Sequence, residues 1–180
     1  MANQISPMAF VHPEAILGDN NIIGPFCYID RNVVIGDNNV FQNSVTLNYG
    51  TRLGSNNEIF PGASIATKPQ DLKFRGEDTT AEIGDNNSIR ENVTISRGTA
   101  SKGKTVVGNN NLLMETMHMG HDCVIGNGCI MVTPLSLQVR LLLTTMPLSR
   151  PPVCSTNFAV WADISCSKAA AVPVRTFLPT

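Results

Sequence analysis

At 180 residues the chain has the length of one domain, with room for a substantial core. Its 13 basic and 14 acidic residues leave a formal charge of −1 and a pI near 6.3, which excludes bulk attraction to nucleic acid or to an anionic membrane surface. The N-terminus carries no basic-then-apolar leader and no apolar run approaches the roughly 20 residues of a membrane span, so a cytoplasmic protein is expected.

From the N-terminus onward, a large apolar residue falls on every sixth position: Val11, Leu17, Ile23, Ile29, Ile35, Phe41, Leu47, Leu53, Ile59 and Ile65. The beat resumes at Ile83, Ile89 and Ile95, and again at Val107, Leu113, Met119, Ile125 and Met131. A period of six fits neither an amphipathic helix nor an alternating strand. It is the repeat of a β-solenoid in which each hexad supplies one short strand and one turn. Three hexads make one three-sided coil, so Val11, Ile29, Leu47 and Ile65 should stack in one column. Leu17, Ile35 and Leu53 should form a second, and Ile23, Phe41 and Ile59 a third.

Compact residues recur four places after the apolar ones: Ala15, Cys27, Val33, Val45, Thr51, Ala63, Val93, Thr99, Cys123 and Cys129. Cys27, Cys123 and Cys129 therefore read as small buried packing residues rather than ligands or disulfide partners. Glycine commonly follows the apolar residue directly (Gly18, Gly24, Gly36, Gly54, Gly84, Gly108, Gly120, Gly126), and asparagine is abundant nearby. Both residue types are expected to serve tight corners by accepting left-handed backbone.

Two stretches break the beat, about 66–82 and about 100–106, and are expected to protrude as loops from one edge of the solenoid. Seven of the nine basic residues in 1–131 lie between Lys68 and Lys104. That cluster is either an ordinary solvated surface or a local positive face for a phosphate or an acidic partner.

The chain has three histidines. His12 lies at the first turn, where a structural role is expected. His118 and His121 flank Met119 in M-H-M-G-H-D-C. Since Met119 points inward on the hexad count, His118 points outward and His121 falls at the next turn, beside Asp122. An exposed histidine with an adjacent carboxylate suits a general base; a plain pair of surface histidines fits the pattern too. A zinc site built on His118 and His121 would need a third ligand, and the sequence offers none nearby.

The stretch N-N-L-L-M-E-T-M-H-M-G-H-D-C-V-I-G-N-G-C-I (residues 110–130) resembles the active-site coil of the UDP-N-acetylglucosamine 3-O-acyltransferases that open lipid A synthesis. P-Q-D-L-K-F-R-G-E (69–77) and I-G-D-N-N-S-I-R-E-N-V-T-I-S-R-G-T (83–99) resemble two further segments of that family. The resemblance implies an all-β, left-handed parallel β-helix. It implies transfer of a (3-hydroxy)acyl chain from acyl carrier protein to the sugar 3-hydroxyl, in a homotrimer, with no cofactor and no metal. His121 matches the family's general base and Asp122 its supporting acid. Gln70, Asp71, Lys73 and His118 match substrate contacts. Ser96 departs from the histidine that some members carry in I-H-R-G-T.

From Val132 the composition changes abruptly: all fourteen glycines lie at or before Gly128, and Asp163 is the single acidic residue of the remainder. The family continues with further coils, whereas this chain does not. Loss of one base within codon 131 would account for the change. In the shifted frame, Met131 to Arg150 can be reread as I-G-N-S-T-K-F-A-G-E-V-I-V-D-D-N-A-I-V-S, which restores the hexad beat. Residues 1–131 are thus expected to form the β-helix, and 132–180 a frameshifted, poorly ordered tail. On that view the chain as written is impaired, and a non-catalytic β-helical fragment is the alternative to an active enzyme.

Overall fold

In the computed structural model of the chain, the residues described are 2–131 and the two short strands Ser136–Leu137 and Leu142–Leu143. Three parallel sheets of seven strands each wrap around one elongated core, and every strand pairs with the strand three places on in the sequence. The architecture is a left-handed parallel β-helix.

The register follows the hexads. In the first sheet Ile5 pairs with Ile23, Ile23 with Phe41 and Phe41 with Ile59; the ladder continues through Ile89 and Leu113 to Met131. The second sheet stacks Val11, Ile29, Leu47, Ile65, Ile95 and Met119. The third stacks Leu17, Ile35, Leu53, Ile83, Val107 and Ile125. The three predicted columns are therefore the three inward faces. From Ile23 onward each of these side chains is almost fully buried, from 0 to 4% exposed. Each contributes about 1.5–3 kcal/mol from burial before the cost of ordering is subtracted. The compact residues line the corners between the columns: Cys27, Val33, Val45, Ala63, Val93 and Cys123 are buried, while Cys129 is half-buried.

The ladder begins one strand earlier than the sequence count, at Gln4–Ile5. Beyond Met131 it continues into Ser136–Leu137, which pairs with His118–Met119, and Leu142–Leu143, which pairs with Val124–Ile125. The expectation of a poorly ordered tail otherwise falls outside the described residues.

The glycines that follow each apolar residue serve another purpose than the one expected. Left-handed backbone occurs two residues later in the hexad, at Asn20, Asn38, Asn56, Asn86 and Asn110 in one corner and at Phe26, Ser44, Asn92 and Thr116 in another. Gly36 is required instead by close approach: a Cβ there would lie 2.8 Å from the carbonyl of Gly54 in the next coil. Only hydrogen lets the coils meet at that contact.

Both loops leave the same edge, between the second and third sheets. The first is shorter than the broken beat suggested, because the flanking strands run on from Ser64–Thr67 to Thr80–Ile83; the second keeps its length but lies earlier, between Thr94–Ser96 and Lys104–Val107. Ala66, at φ 57°, forms the bulge that lets the strand from Ser64 continue past Ile65. The corner after Met119, which holds His121 and Asp122, belongs to this same edge.

Candidate functional site

His118 and Met119 form one two-residue strand, and alternation puts Met119 in the core and His118 outside. The His118 ring is steadied by the neighbouring coil, with Nδ1 2.7 Å from the Thr94 hydroxyl. Gly120 and His121 then take the chain around the corner. Asp122 occupies the left-handed position of that corner, at φ 61°, which an aspartate tolerates better than most side chains.

Around Asp122 the second loop closes tightly. The Thr99 backbone N–H donates to Asp122 Oδ1 at 2.9 Å, and the Thr99 hydroxyl donates to Oδ2 at 2.6 Å. The Asp122 N–H donates to Thr105 Oγ1 at 2.9 Å, and Lys102 Nζ donates to the Asp122 carbonyl at 3.1 Å. Asp122 is 2% exposed and His121 9%. Burial alone would push the Asp122 pKa up. The hydrogen bonds from Thr99, together with the His121 contact, outweigh it and hold the carboxyl below its ordinary value.

His121 Nδ1 lies 2.9 Å from Asp122 Oδ2. A carboxylate held ionised can only accept at that contact, so Nδ1 carries a proton, and in the neutral imidazole the lone pair lies on Nε2. The arrangement can remove a proton from a hydroxyl placed at Nε2 and return it to a leaving group.

Residues 4–49 match the family described as bacterial transferase hexapeptide (six repeats). The chain is 47% identical over 129 residues to the acyl-[acyl-carrier-protein]–UDP-N-acetylglucosamine O-acyltransferase of Saccharophagus degradans, an alignment covering 71% of this chain and 50% of the relative. Among solved structures it is similar to the UDP-N-acetylglucosamine acyltransferase of Bacteroides fragilis, with 66% identity, a TM-score of 0.70, and coverage of 71% of this chain and 50% of that one. The chain belongs to the UDP-N-acetylglucosamine acyltransferase family. The Francisella novicida member superposes with a TM-score of 0.74 at 44% identity, covering 76% of this chain and 50% of that one. The chain spans about half the length of the curated relatives it matches.

Of the residues that the sequence nominated within this acyltransferase-family chain, the structure joins His121 to Asp122 and places His118 on the adjoining strand. Gln70, Asp71 and Lys73 lie apart on the first loop. Asp71 Oδ1 accepts from the Lys73 backbone N–H at 2.8 Å, and the Gln70 and Lys73 side chains are exposed. Among the described residues no hydrogen bond or ion pair joins these three to either histidine. The loop is pinned by Phe74, which is 8% exposed and lies 5.2 Å from the Arg97 guanidinium, and by Asp78, which accepts from the Tyr49 hydroxyl at 3.1 Å.

An open cleft of about 570 Å³ lies along this edge, lined by Arg31, Tyr49, Asp78 and Arg97 among others. Its lining includes neither His118 nor His121. Size alone carries no chemistry, and the ionised carboxylate and oriented imidazole stand elsewhere.

Thr99 and Lys102 were not singled out by the sequence as part of this constellation. Thr99 could have been found: it closes the R-G-T run and sits at a hexad position that otherwise holds apolar or small side chains. Lys102 gave no signal beyond membership of the basic stretch. Among the described residues, no group of three histidine, cysteine, aspartate or glutamate side chains is placed to hold a metal ion.

Proposed function

We propose that the chain carries the catalytic base of an acyltransferase that moves a (3-hydroxy)acyl chain from acyl carrier protein to the 3-hydroxyl of UDP-N-acetylglucosamine, the first step of lipid A synthesis. The observation that carries this reading is the buried Asp122 carboxylate, clamped by Thr99 and accepting from His121 Nδ1. It puts the lone pair of the neutral imidazole on Nε2, aimed away from its partner, as a general base requires.

His121 Nε2 takes the proton of the sugar hydroxyl as its oxygen attacks the thioester carbonyl. The tetrahedral intermediate collapses with cleavage of the C–S bond, and the imidazolium returns the proton to the departing thiolate. Asp122 keeps the imidazole in the productive tautomer and offsets its transient positive charge. Both nucleophile and leaving group belong to the substrates, so the step needs no redox cofactor and no metal.

Gln70, Asp71, Lys73 and His118 are the proposed substrate contacts. The first loop and the His121 corner leave the same edge of the prism, which supports a shared cleft. The family match supports a homotrimer, in which a cleft between neighbouring helices would bring the loop and the base together. Basic residues between Lys68 and Lys104 suit an acidic carrier protein. A cytoplasmic location goes with these substrates; no helix of the described residues is long and apolar enough to cross a membrane.

A second reading rests on length. Since the chain spans about half of its curated relatives, it is alternatively a non-catalytic fragment of such an enzyme. The purified 180-residue chain, given UDP-N-acetylglucosamine and (3-hydroxy)acyl carrier protein, decides between the two. Turnover that disappears in His121→Ala supports the enzyme; absence of turnover in the unaltered chain supports the fragment.

A further inference from the structure

We propose that Thr99 is a positioning residue for the His121–Asp122 pair, fixing the plane of the Asp122 carboxylate so that one oxygen always faces the imidazole. The role builds on the function proposed above but stands on its own geometry. Thr99 supplies two donors at once, its N–H to Oδ1 at 2.9 Å and its hydroxyl to Oδ2 at 2.6 Å. Two donors on two oxygens remove the rotational freedom that a single hydrogen bond would leave. Oδ2 is the same atom that meets His121 Nδ1 at 2.9 Å, so the clamp decides where the imidazole can dock.

The loop carrying Thr99 is itself closed on this point. Gly103 N–H donates to the Thr99 carbonyl at 2.7 Å, and Ser101 N–H reaches the Thr99 hydroxyl oxygen at 3.3 Å. Gly98, just before it, could accept no side chain: a Cβ would lie 2.2 Å from the Lys104 nitrogen. At 6% exposure Thr99 has no access to bulk solvent as a substitute partner. The excursion from the hexad beat thus ends as a strap over the pair. Besides His121, the charged group facing Asp122 is Lys102, whose ammonium meets the Asp122 carbonyl rather than its carboxylate.

The variants are Thr99→Val, which keeps shape and the backbone donor but removes the hydroxyl, and Thr99→Ser, which keeps the hydroxyl. Thr99→Ala serves in place of the valine variant should that one fail to fold. Two readouts are taken on the full chain. In the first, the Asp122 carboxyl carbon and the ring nitrogens of the three histidines are followed by NMR against pH. Loss of a donor to the charged form should raise the Asp122 midpoint and mix the His121 tautomers in Thr99→Val, with neither change in Thr99→Ser. In the second, acyl transfer should fall by roughly tenfold to a hundredfold in Thr99→Val, in kcat rather than KM, and recover in Thr99→Ser.

An Asp122 midpoint and a His121 tautomer that do not move in the valine or alanine variant overturn the proposal, whether or not the chain turns over. A chain that shows no turnover but displays both NMR changes keeps the positioning role and removes the catalytic reading instead.

Discussion

Two corners of the same prism behave in opposite ways. Between the third and first sheets, the second to the sixth coil repeat one device: Asn21, Asn39, Asn57, Asn87 and Asn111 are buried at 0–2% exposure and stacked on one another. The side-chain oxygen of Asn21 accepts the Asn39 backbone N–H at 2.9 Å and its amide at 3.0 Å, and the next two steps have the same geometry. Between the second and third sheets Asn32, Gly50 and Asp122 share left-handed backbone, but no side chain recurs. There the corners hold Asn32 and Gly50, then the two loops, then Asp122. A polar residue that recurs at the same corner, with the same bonds, belongs to the scaffold. One that appears once, at a corner where no side chain recurs, is a candidate for chemistry. Burial does not separate the two kinds, since Asp122 is as buried as the asparagines; periodicity does.

The largest expected effect comes from the irregular corner. His121→Ala should lower the rate of acyl transfer by about 10²–10⁴, the usual worth of a general base. The unfolding midpoint should fall only modestly, because Asp122 loses one of its three side-chain hydrogen bonds while the stacked columns are untouched. Steady-state kinetics beside a thermal melt tests both halves, and a large fall in stability would assign the residue to the scaffold instead. Asn57→Ala should do the reverse. It strips the acceptor from the Asn87 backbone N–H and amide, both buried, at a cost of about 1–3 kcal/mol of stability. Chemical denaturation measures that loss, while the rate per folded molecule should stay near the unaltered value.

The same contrast has a pH signature. The folded-state pKa of Asp122 is depressed, so its contribution to stability is complete above the ordinary carboxylate pKa, about 3.9. It is lost as pH falls through the depressed folded value. Asp122→Asn removes that dependence, whereas the asparagine ladder has no proton to lose. The stability advantage of the unaltered chain over Asp122→Asn should therefore shrink from pH 7 towards pH 3, and the deficit of Asn57→Ala should not follow it. Denaturant titrations across that range would break the comparison if the two variants ran parallel.

The regular part of the molecule was legible because it is periodic. Burial of one side chain per strand forces an apolar residue onto every sixth position, and each missed beat announces a loop. The strand at Gln4–Ile5 obeys the same beat, but Ile5 is 45% exposed at the open end of the helix and lacks an inner neighbour to emphasise it. The glycines were assigned the wrong cause: sequence spacing cannot distinguish a residue needing left-handed backbone from one a neighbouring carbonyl touches in the next coil. At the site, His121 and Asp122 were visible as adjacent groups with complementary chemistry. Thr99 was not, because its partner lies more than a full coil away and the loop in between hides the register. The first-loop residues Gln70, Asp71 and Lys73 were nominated by resemblance, and within one chain nothing in the geometry brings them to the histidines.

The smallest effect sharpens the rule at the place where the ladder ends. Cys129 occupies the rung after Asn111, and its backbone N–H already donates to the Asn111 side-chain oxygen at 2.8 Å, as every asparagine rung does. What the thiol cannot supply is the second donor, since its sulfur lies 3.7 Å from the Asn127 carbonyl and makes only a weak bond there. Cys129→Asn places an amide where Asn39, Asn57 and Asn87 each bond the preceding side-chain oxygen, a bond the buried Asn111 amide does not make, and should stabilise the chain by about 0.5–1 kcal/mol. The gain is modest because Cys129 is half-buried and water already competes at that corner. Catalysis should not change, because this corner is separate from the one that carries the proposed base. A shift in the denaturation midpoint at constant slope would show the scaffold corner extended by its own rule. A loss of stability would mean that the ladder stops at Asn111 because the space beyond it has a different shape.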